Sequence, residues 1–144
     1  MNDQAAGGPH RSFWAIGAAA LIWNVMGAMN FFMQMEPDVV ASMPETHRAI
    51  IEGRPAWATL GFAISVFGGA LGGFLLLLKK SAAYYLFIAS LLGTIATMVH
   101  TLGVGSSTTE FSSFELFMMI LMPLLVPAFL VWYAKQAEGR GWIS

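Results

Sequence analysis

The sequence predicts an all-α fold, a four-helix transmembrane bundle with a short amphipathic helix in its first outer connection. Hydrophobic residues make up 57% of the chain and charged residues only 10%, whereas a soluble domain carries about 25% charged residues. The charged residues are also grouped, so that four long stretches contain none. These stretches are unbroken, whereas the strands of a membrane barrel are short and alternate in polarity. Helices are therefore predicted.

Four uncharged stretches are each long enough to cross a bilayer, since a helix needs about 20 apolar residues to span a hydrocarbon core of about 30 Å. They contain 24, 24, 29 and 19 residues. The first is too long for a signal peptide and lacks a small-residue cleavage site, so we expect it to be retained. We place the four spans, in a single membrane domain over 1–144, at about 13–35, 57–78, 83–103 and 115–134.

Lysine and arginine are distributed unevenly between the two ends of these spans, which predicts the orientation. Five lie in the terminal tails and the second connection, and two lie in the first connection. The acidic residues lean the other way. We therefore expect both termini to be cytoplasmic and the first and third connections to lie outside. The cations that decide this are Arg11, Lys79, Lys80, Lys135 and Arg140 against Arg48 and Arg54.

The first connection contains helix-forming signals. Pro37 and Asp38 suit a helix start, and Ser42 and Glu45 have the spacing of a capping box. An apolar stripe follows, and Gly53 closes it. These signals predict a short amphipathic helix over about 38–53, lying on the outer membrane interface.

Small residues recur every four positions in the second span and predict close helix packing. In the third span, Gly93 also has small residues four positions before and four positions after it. Packing within the hairpin of the second and third spans is the favoured interpretation, and a homo-oligomer interface is the alternative. The predicted packing positions are Gly61, Ser65, Gly69, Gly73 and Gly93.

Polar and methionine side chains are concentrated towards the predicted outer half of the spans. Polar groups inside a membrane need a partner or a function, and methionine forms adaptable apolar pockets. We expect them to line a flexible cavity that opens outward, widened by the paired prolines of the fourth span. Interhelical hydrogen bonds and gap filling are the simpler explanation. The candidate ligand-binding residues are Asn30, Gln34, Met33, His100, Glu115, Met118 and Met122.

Thioethers also select Cu(I) among biological metals, which makes copper handling on the periplasmic side a further hypothesis. It requires at least three of Met33, His100, Glu115, Met118 and Met122 to meet within reach of one ion. No tight metal-ligand spacing is present, so no metal site and no cofactor are predicted.

Several functions are disfavoured by composition. The chain has no cysteine, which excludes disulfides and thiolate chemistry. No basic stripe of the kind that binds nucleic acid is present. No nucleophile, base and orienting group form a recognisable set, so we do not expect an enzyme.

Two segments, WNVMGAMNFFMQ in the first span and PAWATLGFAISVFGGALGGFLLLLKK through the second, resemble a group of small bacterial inner-membrane proteins with four helices. The resemblance covers a little over half of the chain. Members of that group mostly lack an assigned function and are sometimes labelled sugar transporters. The resemblance implies a bacterial inner-membrane location and no functional residues.

The sequence thus predicts a protein in the lipid bilayer that binds or transports a small or hydrophobic solute, as a homo-oligomer. The alternative is a non-catalytic accessory subunit of a larger membrane complex. Convergence of the polar and methionine side chains on a void would favour the first. An exposed glycine face beside a solid bundle would favour the second.

Overall fold

The computed structural model describes residues 9–105 and 113–144, and within them the chain is helical, with no strand. A π-helical turn at Phe117–Leu121 joins the last two helices. The predicted third connection falls in 106–112, outside the described residues. In chain order the helices are α1 (Arg11–Met33), α2 (Pro37–Ala41), α3 (Glu45–Glu52), α4 (Ala56–Leu77), α5 (Ala82–Gly105), α6 (Ser113–Leu116) and α7 (Met122–Gly139).

Three helices, α1, α4 and α5, are long and apolar enough to cross a membrane. They have 23, 22 and 24 residues, and at a rise of 1.5 Å each is about 33–36 Å long. That length matches a hydrocarbon core of about 30 Å. Large apolar side chains such as Ile22, Leu60 and Leu92 are exposed along them. These features indicate a membrane protein.

The first connection contains two short helices rather than one. Pro44 stands between them as the residue before α3, where it lacks an N–H donor and disfavours helical geometry in the residue before it. Ser42 does not cap α3: the N-cap residue is Pro44, no side chain caps that end, and the Ser42 hydroxyl donates instead to the carbonyl of Val39 over 2.7 Å. The single helix predicted over 38–53 is therefore divided at the proline.

The predicted fourth span is helical but irregular, running through α6, the π-helical turn and α7. The π-helical turn ends two residues before Pro123. A proline ring clashes with the carbonyl four residues earlier, and wider turns are one way a helix absorbs such a clash. Because of this turn, the apolar residues 117–121 are not part of α7, whose 18 residues end in the polar sequence KQAEG. The helices that are both long and apolar enough to span therefore number three in the described part of the chain.

The helices pack in a series: α1 on α4, α4 on α5, and α5 on α7. The turn from α4 to α5 is tight. Lys79 takes a left-handed conformation with φ of 61°, and the N–H of Lys80 bonds to the carbonyl of Leu75 over 2.9 Å, which closes α4 with a Schellman motif. The first and last helices of this packing series, α1 and α7, face each other across a gap.

One half of the bundle is densely packed. We call it the tail half, because it contains the α4–α5 turn and the segment after α7. Ser144 forms backbone hydrogen bonds with Lys79 and Ser81 on that turn. Trp142 packs edge-on against Phe13 of α1 at 6.0 Å between ring centroids. The main cluster of buried hydrophobic residues lies here: Phe13, Ala20, Leu76, Ala83, Phe87, Leu130, Tyr133, Ala134, Ala137, Trp142 and Ile143.

Candidate functional site

The opposite half of the bundle, here called the connection half because it contains α2 and α3, contains a partly open cavity of about 550 Å³. Its walls come from α1, α4, α5 and α7, and α3 forms its roof. The volume falls within the range of about 300–1,000 Å³ typical of small-molecule sites. The lining combines apolar side chains with hydroxyl, amide and guanidinium groups.

A row of hydroxyl groups forms the α5 side of the cavity. Ser90, Thr94, Thr97 and Thr101 are all buried. Each is bonded to a backbone carbonyl, for example Thr94 to Ser90 over 2.8 Å and Thr101 to Thr97 over 3.1 Å. A hydroxyl has one proton to donate. The row is therefore internally satisfied and presents mainly acceptor oxygens to the cavity.

The hydroxyl row also joins α5 to α4. Ser90 donates to the carbonyl of Ser65 over 2.7 Å, and the hydroxyls of Ser65 and Thr94 are 2.6 Å apart. Because the Thr94 proton is used on the Ser90 carbonyl, Ser65 donates within this pair. The wall between these helices is thus fixed by hydrogen bonds as well as by close backbone contact.

Asn24 lies at the tail-side end of the cavity and is the one buried amide in the described part of the bundle. Its amide nitrogen donates to the carbonyl of Ala20 over 2.8 Å. The side chain rests directly on Gly69, where any added Cβ would collide with it. The glycine therefore makes room for a polar group in the wall, and the sequence pattern alone had suggested only helix packing there.

Arg54 lies at the roof, between α3 and α4. Its Nη2 donates to Oε1 of Gln34 over 2.7 Å, and its guanidinium lies 5.1 Å from the ring centroid of Phe62. Its Nε is buried and has no hydrogen-bond partner in the described structure. Burial lowers the pKa of Arg54 from its ordinary value, but an arginine stays protonated in proteins. The roof thus holds a cation with unused donor capacity.

His100 holds the roof onto α5. Its Nε2 lies 3.1 Å from the carbonyl of Ile50 in α3, and a carbonyl only accepts, so Nε2 carries a proton and donates. Trp57 packs edge-on to the imidazole at 6.5 Å between centroids. His100 is therefore placed as a support of α3, outside the cavity lining.

Of the seven candidate ligand-binding residues, the structure brings two together on the cavity: Asn30 and Gln34. Met33 and Met118 are exposed on the bundle surface. The lining methionines are others, Met26, Met43 and Met98. Met33 and Met118 are also outside the cavity lining. The same holds for the three remaining candidates, which are His100, Glu115 and Met122.

The copper hypothesis gains nothing from this arrangement. His100 is engaged by the Ile50 carbonyl. In the part of the chain that the structure describes, no three His, Asp or Glu side chains are grouped so as to hold a metal ion.

The predicted packing glycines are used inside the chain. Gly61 and Gly93 face each other across α4 and α5, and a Cβ on Gly61 would lie 2.9 Å from the Gly93 carbonyl. A Cβ on Gly73 would lie 3.1 Å from the backbone nitrogen of Leu21 in α1. Ser65, the fourth position of this row in α4, is joined to α5 by hydrogen bonds. The α4 glycines thus meet α5 on one side and α1 on the other.

Sequence reasoning missed Arg54 and the hydroxyl row as cavity groups. A signal for the row was present, because residues 90, 94, 97 and 101 follow the spacing that puts four side chains on one face of a helix. No comparable signal marks Arg54, since its partner Gln34 lies in a different helix.

Comparisons with protein-family models, with curated proteins and with solved structures found no match for this chain. The resemblance to small bacterial inner-membrane proteins therefore stays an expectation from sequence.

Proposed function

We propose that this protein binds or moves a small or hydrophobic solute through the cavity of the connection half. One observation carries the proposal: a cavity of about 550 Å³ whose lining combines a mostly apolar surface with a few oriented polar groups. That combination is typical of small-molecule sites, where apolar area supplies affinity and polar groups fix orientation.

The chemistry of the lining supports binding over catalysis. The hydroxyls of α5 are already bonded to carbonyls, so they orient a ligand without needing one for their own stability. The open polar capacity lies in Arg54, Asn30 and Gln34, which offer one cation and two amides. No carboxylate is present among the described lining residues. The site therefore suits a ligand with a polar or negative end and an apolar body.

The proposal includes four crossings, with α6, the π-helical turn and α7 together forming the fourth. This run extends from Ser113 to Gly139, about 35–40 Å by helical rise, which is long enough to span. Lys79 and Lys80 lie at the end opposite the cavity, and the preference of such cations for the cytoplasmic side supports an orientation with the cavity towards the outside. In a Gram-negative bacterium that side is the periplasm.

Transport, as distinct from binding, needs a further element. Alternating access usually depends on two pseudo-symmetric halves, so a transporter built from this chain would be a homo-oligomer. An exposed glycine face would have favoured the accessory-subunit alternative, and the described structure does not provide one. Gly61, Gly69 and Gly73 are buried against α5 and α1.

The test is native mass spectrometry of the full chain extracted from membranes in nanodiscs. We expect a reproducible small-molecule adduct on wild type that Asn30→Trp removes, because Asn30 lines the cavity and a Trp there would fill it. Met29→Trp is the matched control, since the neighbouring Met29 is 60% exposed and lies outside the lining.

An adduct that persists equally in both variants would place the bound molecule elsewhere and contradict the proposal. Recovery only in a fixed stoichiometry with other proteins, with no adduct, would favour an accessory subunit.

A further inference from the structure

A second space, of about 370 Å³, lies between α1 and α7. It is the gap between the first and last helices of the packing series. Its lining is almost entirely apolar and includes Ile16 and Ala19 of α1 and Leu125 and Phe129 of α7. Towards the tail half, the ring of Phe13 lies 6.4 Å from that of Tyr133, which brings the two helices together at that end. We call this space the α1–α7 groove.

The groove and the cavity adjoin. Trp23, Val126 and Leu130 line both, so the two spaces share a boundary and together extend from the roof down the gap between α1 and α7. The prolines of α7 contribute to this opening, because Pro123 and Pro127 both line the cavity. A space bounded by two helices on the bundle surface is open to the acyl chains of the bilayer on its side.

The two ends of this space differ in chemistry. At the roof stands Arg54, bonded to Gln34 and with its Nε unpartnered in the described structure. The ionisable lining groups among the described residues are Arg54 and His47, and neither is acidic. At the far end only hydrocarbon side chains are present. A guanidinium pairs with a carboxylate through two parallel N–H bonds.

On these observations, and resting on the proposed function, we propose that the ligand is a long-chain carboxylate. Its anionic head lies at Arg54, and its single hydrocarbon chain extends through the cavity into the α1–α7 groove. It enters sideways from the bilayer between α1 and α7. A single charge suits the site, because one guanidinium matches one carboxylate, whereas a phosphate monoester carries nearly two charges.

The length of the space supports a long single chain. The Arg54 guanidinium stacks on Phe62, whose ring lies 5.2 Å from that of Phe31 in α1, so the head site is level with Phe31. Ile16, in the groove, lies fifteen residues earlier in the same helix, about 22 Å away. One leaflet provides about 15 Å of hydrocarbon. The occupant is therefore an extended chain reaching past the bilayer midplane.

The experiment uses the full chain in phosphatidylcholine nanodiscs with a fatty acid that carries a photoactivatable diazirine near its chain end. We expect saturable labelling of the groove, on peptides that contain residues 16–23 and 125–130. Oleate should compete. Octanoate should not, because it cannot reach the groove from Arg54, and oleyl alcohol should not, because it lacks the charge.

Two pairs of variants separate the head site from the chain site. Arg54→Gln should weaken labelling at least about tenfold, because it removes the charge that strengthens the hydrogen bonds to the head group, while Arg48→Gln, the other cation of the connection, should not. Val126→Trp should obstruct the junction and abolish groove labelling. Leu92→Trp adds the same ring on an exposed face of α5 and should have no effect. Thermal unfolding checks that each variant is folded.

Labelling spread over all exposed helix faces and unchanged in Arg54→Gln and Val126→Trp would overturn the inference. Competition by oleyl phosphate that exceeds oleate would overturn the choice of carboxylate. A phospholipid retained by wild type and lost in Val126→Trp would show that the groove holds a membrane lipid. If any of these occurs while an adduct sensitive to Asn30→Trp persists, the proposed function stands and only the ligand class fails.

Discussion

The two halves of the bundle are made from the same helices but differ in how they fill the space between them. In the tail half, aromatic and aliphatic side chains such as Phe13, Leu76 and Phe87 are fully buried. In the connection half, the buried side chains of α5 are the hydroxyls of Ser90, Thr94, Thr97 and Thr101, and a cavity of about 550 Å³ lies beside them. One half holds the helices together, and the other leaves room for a ligand.

The difference arises from side-chain chemistry at equivalent positions. A short hydroxyl side chain that bonds to a carbonyl of its own helix, as Thr101 does to Thr97, does not fill space towards a neighbouring helix. Phe87, on the same helix, reaches α4 and packs where Gly72 has no side chain. Because tight packing is the main attraction between helices in lipid, we expect the large buried side chains of the tail half to contribute more to stability than the side chains that line the cavity.

The largest expected effect is a loss in the free energy of unfolding when the packing of the tail half is disrupted. Phe13→Ala removes a buried ring that contacts both Tyr133 and Trp142, and we expect a loss of about 3–5 kcal/mol in the free energy of unfolding. Met98→Ala, in the connection half, should cost about 1 kcal/mol, because its side chain already borders a cavity. Denaturation in detergent micelles, followed by circular dichroism, measures both. Equal losses would contradict the contrast between the halves.

A smaller effect is expected where α4 and α5 approach most closely. A Cβ on Gly93 would collide with the backbone carbonyl of Gly61 and lie 2.9 Å from the backbone nitrogen of Ser65. Backbone atoms cannot move aside as a flexible side chain can, so Gly93→Ala should destabilise by about 1–3 kcal/mol.

The matched control for this substitution lies on the same helix. A Cβ added to Gly103 would have no neighbouring atom within 4 Å, and alanine favours a helix over glycine by up to about 1 kcal/mol. Gly103→Ala should therefore be neutral or stabilising in the same denaturation measurement. A loss of similar size at both positions would show that the close contact at Gly93 does not determine the effect.

Much of this fold could be predicted from sequence because it depends on local composition. The helices α1, α4 and α5 follow from the spacing between charged residues, and their observed bounds lie within two residues of the predicted ones. The irregular parts depend on single residues whose consequences extend along the helix. Pro44 divides the first connection, and the strain near Pro123 is taken up by a π-helical turn earlier in the chain.

The site was less predictable, because it depends on pairs from different helices. Asn30 and Gln34 were identified since an amide in an apolar span is conspicuous. Arg54 was counted only as a charge for topology, and nothing in the sequence connects it to Gln34 or Phe62. The burial of Trp142 likewise depends on the chain returning to Phe13 after α7, a long-range contact that helical periodicity does not predict.

The smallest predicted effect tests whether the hydroxyl row stiffens the connection half. A double-mutant cycle of Ser65→Ala and Thr94→Val, followed by denaturation, measures the coupling between the two hydroxyls, which lie 2.6 Å apart. We expect about 0.6 kcal/mol, the average for hydrogen bonds between membrane helices, because Thr94 keeps its bond to the Ser90 carbonyl when Ser65 is replaced. A coupling of about 2 kcal/mol or more would mean that hydrogen bonds hold α4 and α5 rigidly together at the cavity wall. The cavity would then be rigid rather than adaptable.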